Sequence, residues 1–213
     1  MKIRVISALA FVMFLSSAIS QEAIELYNVD NYSNINADTR GLNTYRKIKV
    51  NLSNTGSSDK KINISCGTFF ENGNTNEQSL VVLFKDQVYL DGNERSSIEL
   101  ITACMDASKA SPSGHSNWTI ENDKGLGDLI LFYHSNRSMI ALMTSSDQHS
   151  TKEKQINFLQ IAVWAYYDCE EDKMVDFSAK YMFDGNRQDA QDFIDVTLPM
   201  IKIFINLYKS TNR

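Results

Sequence analysis

The sequence predicts an α+β protein, with a β-sandwich over residues 21–120 and a helical portion over 121–213 packed against it. Three observations carry that reading. Between Tyr45 and Met105, apolar and polar residues alternate in runs bounded by turn residues, the mark of half-buried strands. After Asp123 the apolar spacing shifts to three and four, the mark of helices. Hydrophobic residues make up 43% of the chain and only two prolines interrupt it, so there is enough apolar material for a sizeable core.

Residues 1–20 have the make-up of a secretory signal peptide: Lys2 and Arg4, the apolar run Val5 to Leu15, then small residues at Ala18 and Ser20. Cleavage is expected between Ser20 and Gln21. The apolar run is short for a membrane span, and no later stretch is long and apolar enough. The expected mature chain is therefore secreted (extracellular, cell surface or periplasm) and not membrane-spanning.

The sandwich elements follow in order. Gln21 to Val29 reads as a first strand with Ile24 and Leu26 inward, and Asp30 to Asn43 as a loop. Tyr45 to Leu52 alternates cleanly, with Ile48, Val50 and Leu52 on one face. Asn54 to Ser57 is a turn, and Lys61 to Cys66 is a strand with Ile62, Ile64 and Cys66 inward. Gly67 to Glu77 reads as a polar connection. Ser79 to Leu90 reads as one long strand, which the turn Asp91-Gly92-Asn93 joins as a hairpin to Ser96–Met105. On the return strand Ile98, Leu100, Thr102 and Cys104 share a face. Trp118 to Ile120 closes the sheet.

The helical portion begins with a short helix carrying Leu126, Leu129, Ile130 and Tyr133. A central helix spans 155–167. It is apolar almost all round, as buried helices are, and should need the sandwich in order to fold. Met174 to Phe183 alternates and reads as a strand. A C-terminal helix over 187–209 follows, with Phe193, Val196, Met200, Ile203 and Leu207 as its inward stripe and a kink at Pro199. Asp189, Asp192 and Asp195 near its start and Lys202 and Lys209 near its end match the helix dipole.

Composition narrows the function. Net charge is −5, and losing Lys2 and Arg4 makes the mature chain more acidic, which argues against a nucleic-acid partner. His115, His134 and His149 lack ligand spacing, so neither a metal site nor a cofactor is expected. There is no Gly-x-Ser-x-Gly elbow and no phosphate-binding glycine loop. No catalytic residue is assigned, and the chain is read as non-enzymatic. Its expected partner is an unidentified protein or surface ligand.

Two residues stand out. Gln160 interrupts the apolar stripe between Ile156 and Trp164. An unpartnered buried amide costs roughly 2–7 kcal/mol, so Gln160 is hydrogen-bonded to backbone, exposed at a cleft, or no longer a free amide. The three cysteines, Cys66, Cys104 and Cys169, are an odd count for a secreted chain. Cys104 ends its strand on the inward face. It reads as a buried small hydrophobe, as the partner of Cys66 in a disulfide between neighbouring strands, or as a thiol used chemically.

Leu159 to Trp164, LQIAVW, resembles the hydrophobic–Gln–x–Ala–hydrophobic–Trp motif of the thioester domains of bacterial surface adhesins. Ile101 to Pro112, ITACMDASKASP, is similar to that family's cysteine segment, although Ala103 stands where the family has an aromatic residue or Leu. The resemblance implies a thioester between Cys104 and Gln160 shielded by Trp164, and a domain that bonds covalently to amines on a partner. The sandwich also resembles secreted immunoglobulin-like modules that carry the same helix motif. Those modules have no known activity, so that likeness implies an Ig-like sandwich without a reaction, and the expected role is a binding module of adhesion type at the cell surface.

Overall fold

The computed structural model describes residues 23–39, 46–112, 118–144 and 151–211. The expected signal peptide and its cleavage point lie outside them. The architecture is mixed α+β, with nine strands in two sheets followed by four helices among the described residues. One contiguous hydrophobic core runs through both parts, from Ile24 to Ile205.

The smaller sheet has the order β1-β4-β7, built from β1 (Ala23–Glu25), β4 (Lys60–Ile64) and β7 (Asp86–Leu90). The larger has the order β2-β3-β8-β6-β5-β9. Its members are β2 (Ile35–Asp38), β3 (Lys47–Asn54), β5 (Thr68–Asn72), β6 (Leu80–Val82), β8 (Arg95–Cys104) and β9 (Trp118–Asn122). All pairings are antiparallel except β1 with β4.

Strands with one clean apolar face form where expected. In β3, Ile48, Val50 and Leu52 are buried while Lys47, Lys49 and Asn51 are exposed. In β8, Leu100, Thr102 and Cys104 are buried. The first strand is shorter than expected, because after Glu25 the chain turns into a 3-10 helix over Leu26–Asn31 that still buries Leu26 and Val29.

Several expectations are corrected. Ser79–Leu90 is two strands, split at Leu83–Lys85. Its first half, β6, pairs with β8 through Leu80↔Cys104 and Val82↔Thr102, whereas β7 crosses to the other sheet and pairs with β4. The expected β7–β8 hairpin is therefore not a ladder. Strand β2 lies within the stretch read as a loop, and β5 within the stretch read as a polar connection. Both are short, and their pairing is settled by the neighbouring strands.

The helices are α1 (Lys124–Thr144), α2 (Lys152–Tyr166), α3 (Glu171–Met182) and α4 (Arg187–Thr211). Asp123 starts α1: its Oδ1 accepts from Leu126 N–H at 2.9 Å, and its Oδ2 accepts from the Tyr167 hydroxyl at 2.7 Å. One carboxylate thus joins the start of α1 to the end of α2. Thr151 caps α2, its hydroxyl accepting from Lys154 N–H at 3.2 Å. Every residue from Phe158 to Trp164 is buried, as an all-apolar helix requires.

The run read as a strand at Met174–Phe183 is helix α3. Its buried residues Met174, Val175, Phe177 and Ser178 fall in adjacent pairs at helical spacing, which alternation does not allow, and Glu171 and Asp172 at its start complement the dipole. Helix α4 runs unbroken through Pro199, and its core face differs from the expected stripe. Ile194, Leu198, Ile201, Phe204 and Ile205 are buried, while Val196 and Ile203 are each 59% exposed.

Candidate functional site

Strand β8 has a partner on both sides for most of its length. Toward β3 the register runs from Arg95 to Ile101, and the Arg46 carbonyl adds one more rung by accepting from Thr102 N–H at 2.9 Å. Toward β6 the register continues to Cys104. Successive residues of a strand point their peptide groups to opposite sides. Those of Thr102 and Cys104 point toward β3, which begins at Lys47, and among the described residues no residue of that strand faces Cys104. The buried N–H and C=O of Cys104 therefore need another partner.

Gln160 supplies it. The Cys104 N–H donates to Gln160 Oε1 at 2.9 Å, and Gln160 Nε2 donates to the Cys104 carbonyl at 2.8 Å. The carboxamide takes the place of a strand residue and closes a two-bond ring on the N–H and C=O of one residue. Gln160 is 2% exposed and Cys104 0% exposed, so both bonds lie in the dry interior. The amide in the apolar stripe is thus hydrogen-bonded to backbone, and its partner is the residue with which the resemblance paired it.

The remaining expected site residues are placed as follows. Trp164, one turn beyond Gln160, is fully buried, and its ring meets Phe177 edge-on with centroids 5.2 Å apart. Its Nε1–H has no hydrogen-bond partner. Among the described residues, Cys66, Cys104 and Cys169 form no disulfide. The Cys66–Cys104 disulfide rested on neighbouring strands, and that premise fails. Cys66 follows β4, whose neighbours are β1 and β7, whereas β8 lies between β3 and β6. The Cys66 thiol instead donates to the Leu83 carbonyl at 3.4 Å, the same oxygen that His134 Nε2 meets at 2.8 Å.

Burial dominates the electrostatics. It raises the Cys104 thiol well above the ordinary range, with the Arg46 charge pulling weakly the other way. It pushes Cys66 up to about 11, and it also raises Cys169. All three thiols are therefore protonated near neutrality.

Sequence reading missed a second clamp beside the first. Arg46 Nη2 donates to Asn157 Oδ1 at 2.8 Å, and Arg46 Nη1 lies 3.6 Å from the exposed Glu153 carboxylate. Glu153, Asn157 and Gln160 occupy one stripe of α2 at spacings of four and three. Asn157 and Gln160, polar within the apolar run from Ile156 to Ala165 and in line with Glu153, were the available signal. Beyond the end of β8, a cleft of about 460 Å³ opens between Met105, Asp106, Ser108, Tyr167, Cys169 and Lys173. It lies where the chain leaves both Cys104 and α2.

Among the described residues no group of His, Cys, Asp or Glu converges as metal ligands, and no helix is long and apolar enough to cross a membrane. Comparison with known proteins identifies no relative: no family model, curated protein or solved structure matches the chain.

Proposed function

We propose that the chain is an exported binding module of adhesion type, with an immunoglobulin-like scaffold in its strand-rich half and a capture group formed by Cys104 and Gln160 as an internal thioester. The observation that carries this reading is the ring of two hydrogen bonds between the Gln160 carboxamide and the Cys104 peptide. It brings the acyl carbon and the thiol-bearing residue together across 56 positions of sequence. The reaction is balanced within the chain. Cys104 Sγ attacks Gln160 Cδ, the S–C bond forms, the C–N bond breaks, and the thiol proton leaves with the amide nitrogen as ammonia. The Cys104 N–H already donates to Oε1, the oxygen that gains negative charge as the tetrahedral intermediate forms. Trp164 and the apolar body of α2 keep water from the product. A partner amine then attacks the thioester carbonyl, forming an amide and returning the proton to sulfur. The cleft beside Met105 and Cys169 supports access for that amine.

A second reading keeps the module and removes the covalent step. Both ends of the carboxamide are satisfied by peptide groups, and burial holds the Cys104 thiol protonated. In that reading Gln160 is a clasp and binding is non-covalent. The mass of the intact mature protein separates the two. A thioester lowers it by one ammonia, and methylamine treatment adds one methylamine at Gln160. An unaltered mass that methylamine leaves unchanged overturns the thioester and retains the clasp.

A further inference from the structure

The Gln160–Cys104 ring requires α2 to sit at one axial position along β8. An α-helix rises about 1.5 Å and turns about 100° per residue, so a slip of one residue would carry Gln160 away from the peptide it binds. The apolar contacts of α2 are non-directional and do not by themselves set that position. Arg46 does make directional contacts, and it makes them to both elements. Its carbonyl forms the last β3–β8 rung with Thr102, two residues before Cys104. Its guanidinium holds Asn157, three residues before Gln160 on the same face of α2, and approaches Glu153 one turn earlier. The planar guanidinium fork fixes direction as well as distance, which a lysine ammonium does not.

We propose that Arg46 is a positioning residue that sets the register of α2 against β8 and so holds the Gln160 carboxamide on the Cys104 peptide. The consequence for amine capture rests on the thioester reading. The register itself does not.

The test is site-resolved amide hydrogen exchange in the full chain. In Arg46→Ala, protection of the Cys104 N–H is expected to fall about tenfold or more, while protection of Leu100, four residues earlier on β8, stays at the wild-type level. Asn157→Ala removes the helix side of the clamp and is expected to give the same loss, with the double variant adding little beyond either single one. Arg46→Lys keeps the charge without the fork and is expected to behave like Arg46→Ala. Unchanged Cys104 protection overturns the proposal. So does a parallel fall at Leu100, which would mean general loosening, or a full restoration by lysine. Intact mass read on the same samples keeps the two ideas apart. A wild type without the ammonia deficit, combined with a selective loss at Cys104, retains Arg46 as the positioning residue and removes the covalent reading. A wild type with the deficit, lost in Arg46→Ala along with Cys104 protection, supports both.

Discussion

The Gln160 carboxamide binds the backbone N–H and C=O of Cys104, at 2.9 and 2.8 Å, and so takes the place of a strand residue on the side of β8 that faces β3. The helix is joined to the sheet by an amide acting as a strand residue. This accounts for a glutamine at a position where every neighbour from Phe158 to Trp164 is buried.

Gln160→Leu would fill the same space without a donor or acceptor, leaving the Cys104 N–H and C=O buried and unpaired. The expected loss is about 2–6 kcal/mol of unfolding free energy, at about 1–3 kcal/mol per orphaned group. Urea unfolding of the variant against wild type measures it. A loss below about 0.5 kcal/mol would mean the ring contributes nothing.

Alkaline pH should destabilise the fold. Burial pushes Cys66 from 9.0 to about 11 and also raises Cys104. Above pH 9 the unfolded chain loses these protons while the folded chain keeps them, so stability falls as pH rises through that window. Each thiol contributes at most about 1.4 kcal/mol per pH unit. Urea midpoints taken between about pH 7 and about pH 10.5 should fall, and Cys66→Ala should make the decline shallower. A slope identical in that variant would contradict the assignment to Cys66.

Acid acts through His134. Burial lowers its pKa despite the hydrogen bond to Leu83. The folded state therefore binds that proton less readily than the unfolded one, and the contribution present above the ordinary value of 6.5 is lost as pH falls below it. His134→Gln keeps a donor for the Leu83 carbonyl and should remove this part of the acid limb. Its stability relative to wild type should improve steadily from neutral pH toward about pH 5, as read by thermal unfolding.

Two glycines with positive φ should respond differently to alanine. At Gly67, φ +85°, a Cβ would lie 2.5 Å from the Asp123 carbonyl and 2.6 Å from Gly127 Cα, where the corner before β5 meets the start of α1. At Gly185, φ +87°, nothing lies within 4 Å. Gly185→Ala should cost about 1 kcal/mol, from backbone strain alone. Gly67→Ala should cost about 3 kcal/mol or more, since main chain must move as well. Equal costs would place the corner elsewhere.

The face of α4 can be tested directly. Val196→Lys places a charge on an exposed position and should change stability by no more than about 0.5 kcal/mol. Ile201→Ala empties a fully buried one and should cost about 2–5 kcal/mol. The reverse order would restore the stripe read from spacing.

What the residues alone determined is the order of parts. Alternation in β3 and β8 marks strands because one face of each is buried and the other wet. The absence of a polar face marks α2 as interior. A lone amide in an apolar stripe and an inward cysteine at a strand end single out two residues, only the resemblance paired them, and their contact belongs to the tertiary structure. Tertiary structure alone decided the rest. Met174–Phe183 fits both periods, and packing against α4 selected the helix. Helix α4 carries apolar residues on more than one face, and its contacts with α2 and α3 chose which is buried. Ser79–Leu90 has no glycine or proline at its break, so its division between two sheets follows from the partners each half found. Periodicity records how a segment meets water; it does not record which neighbour excludes that water.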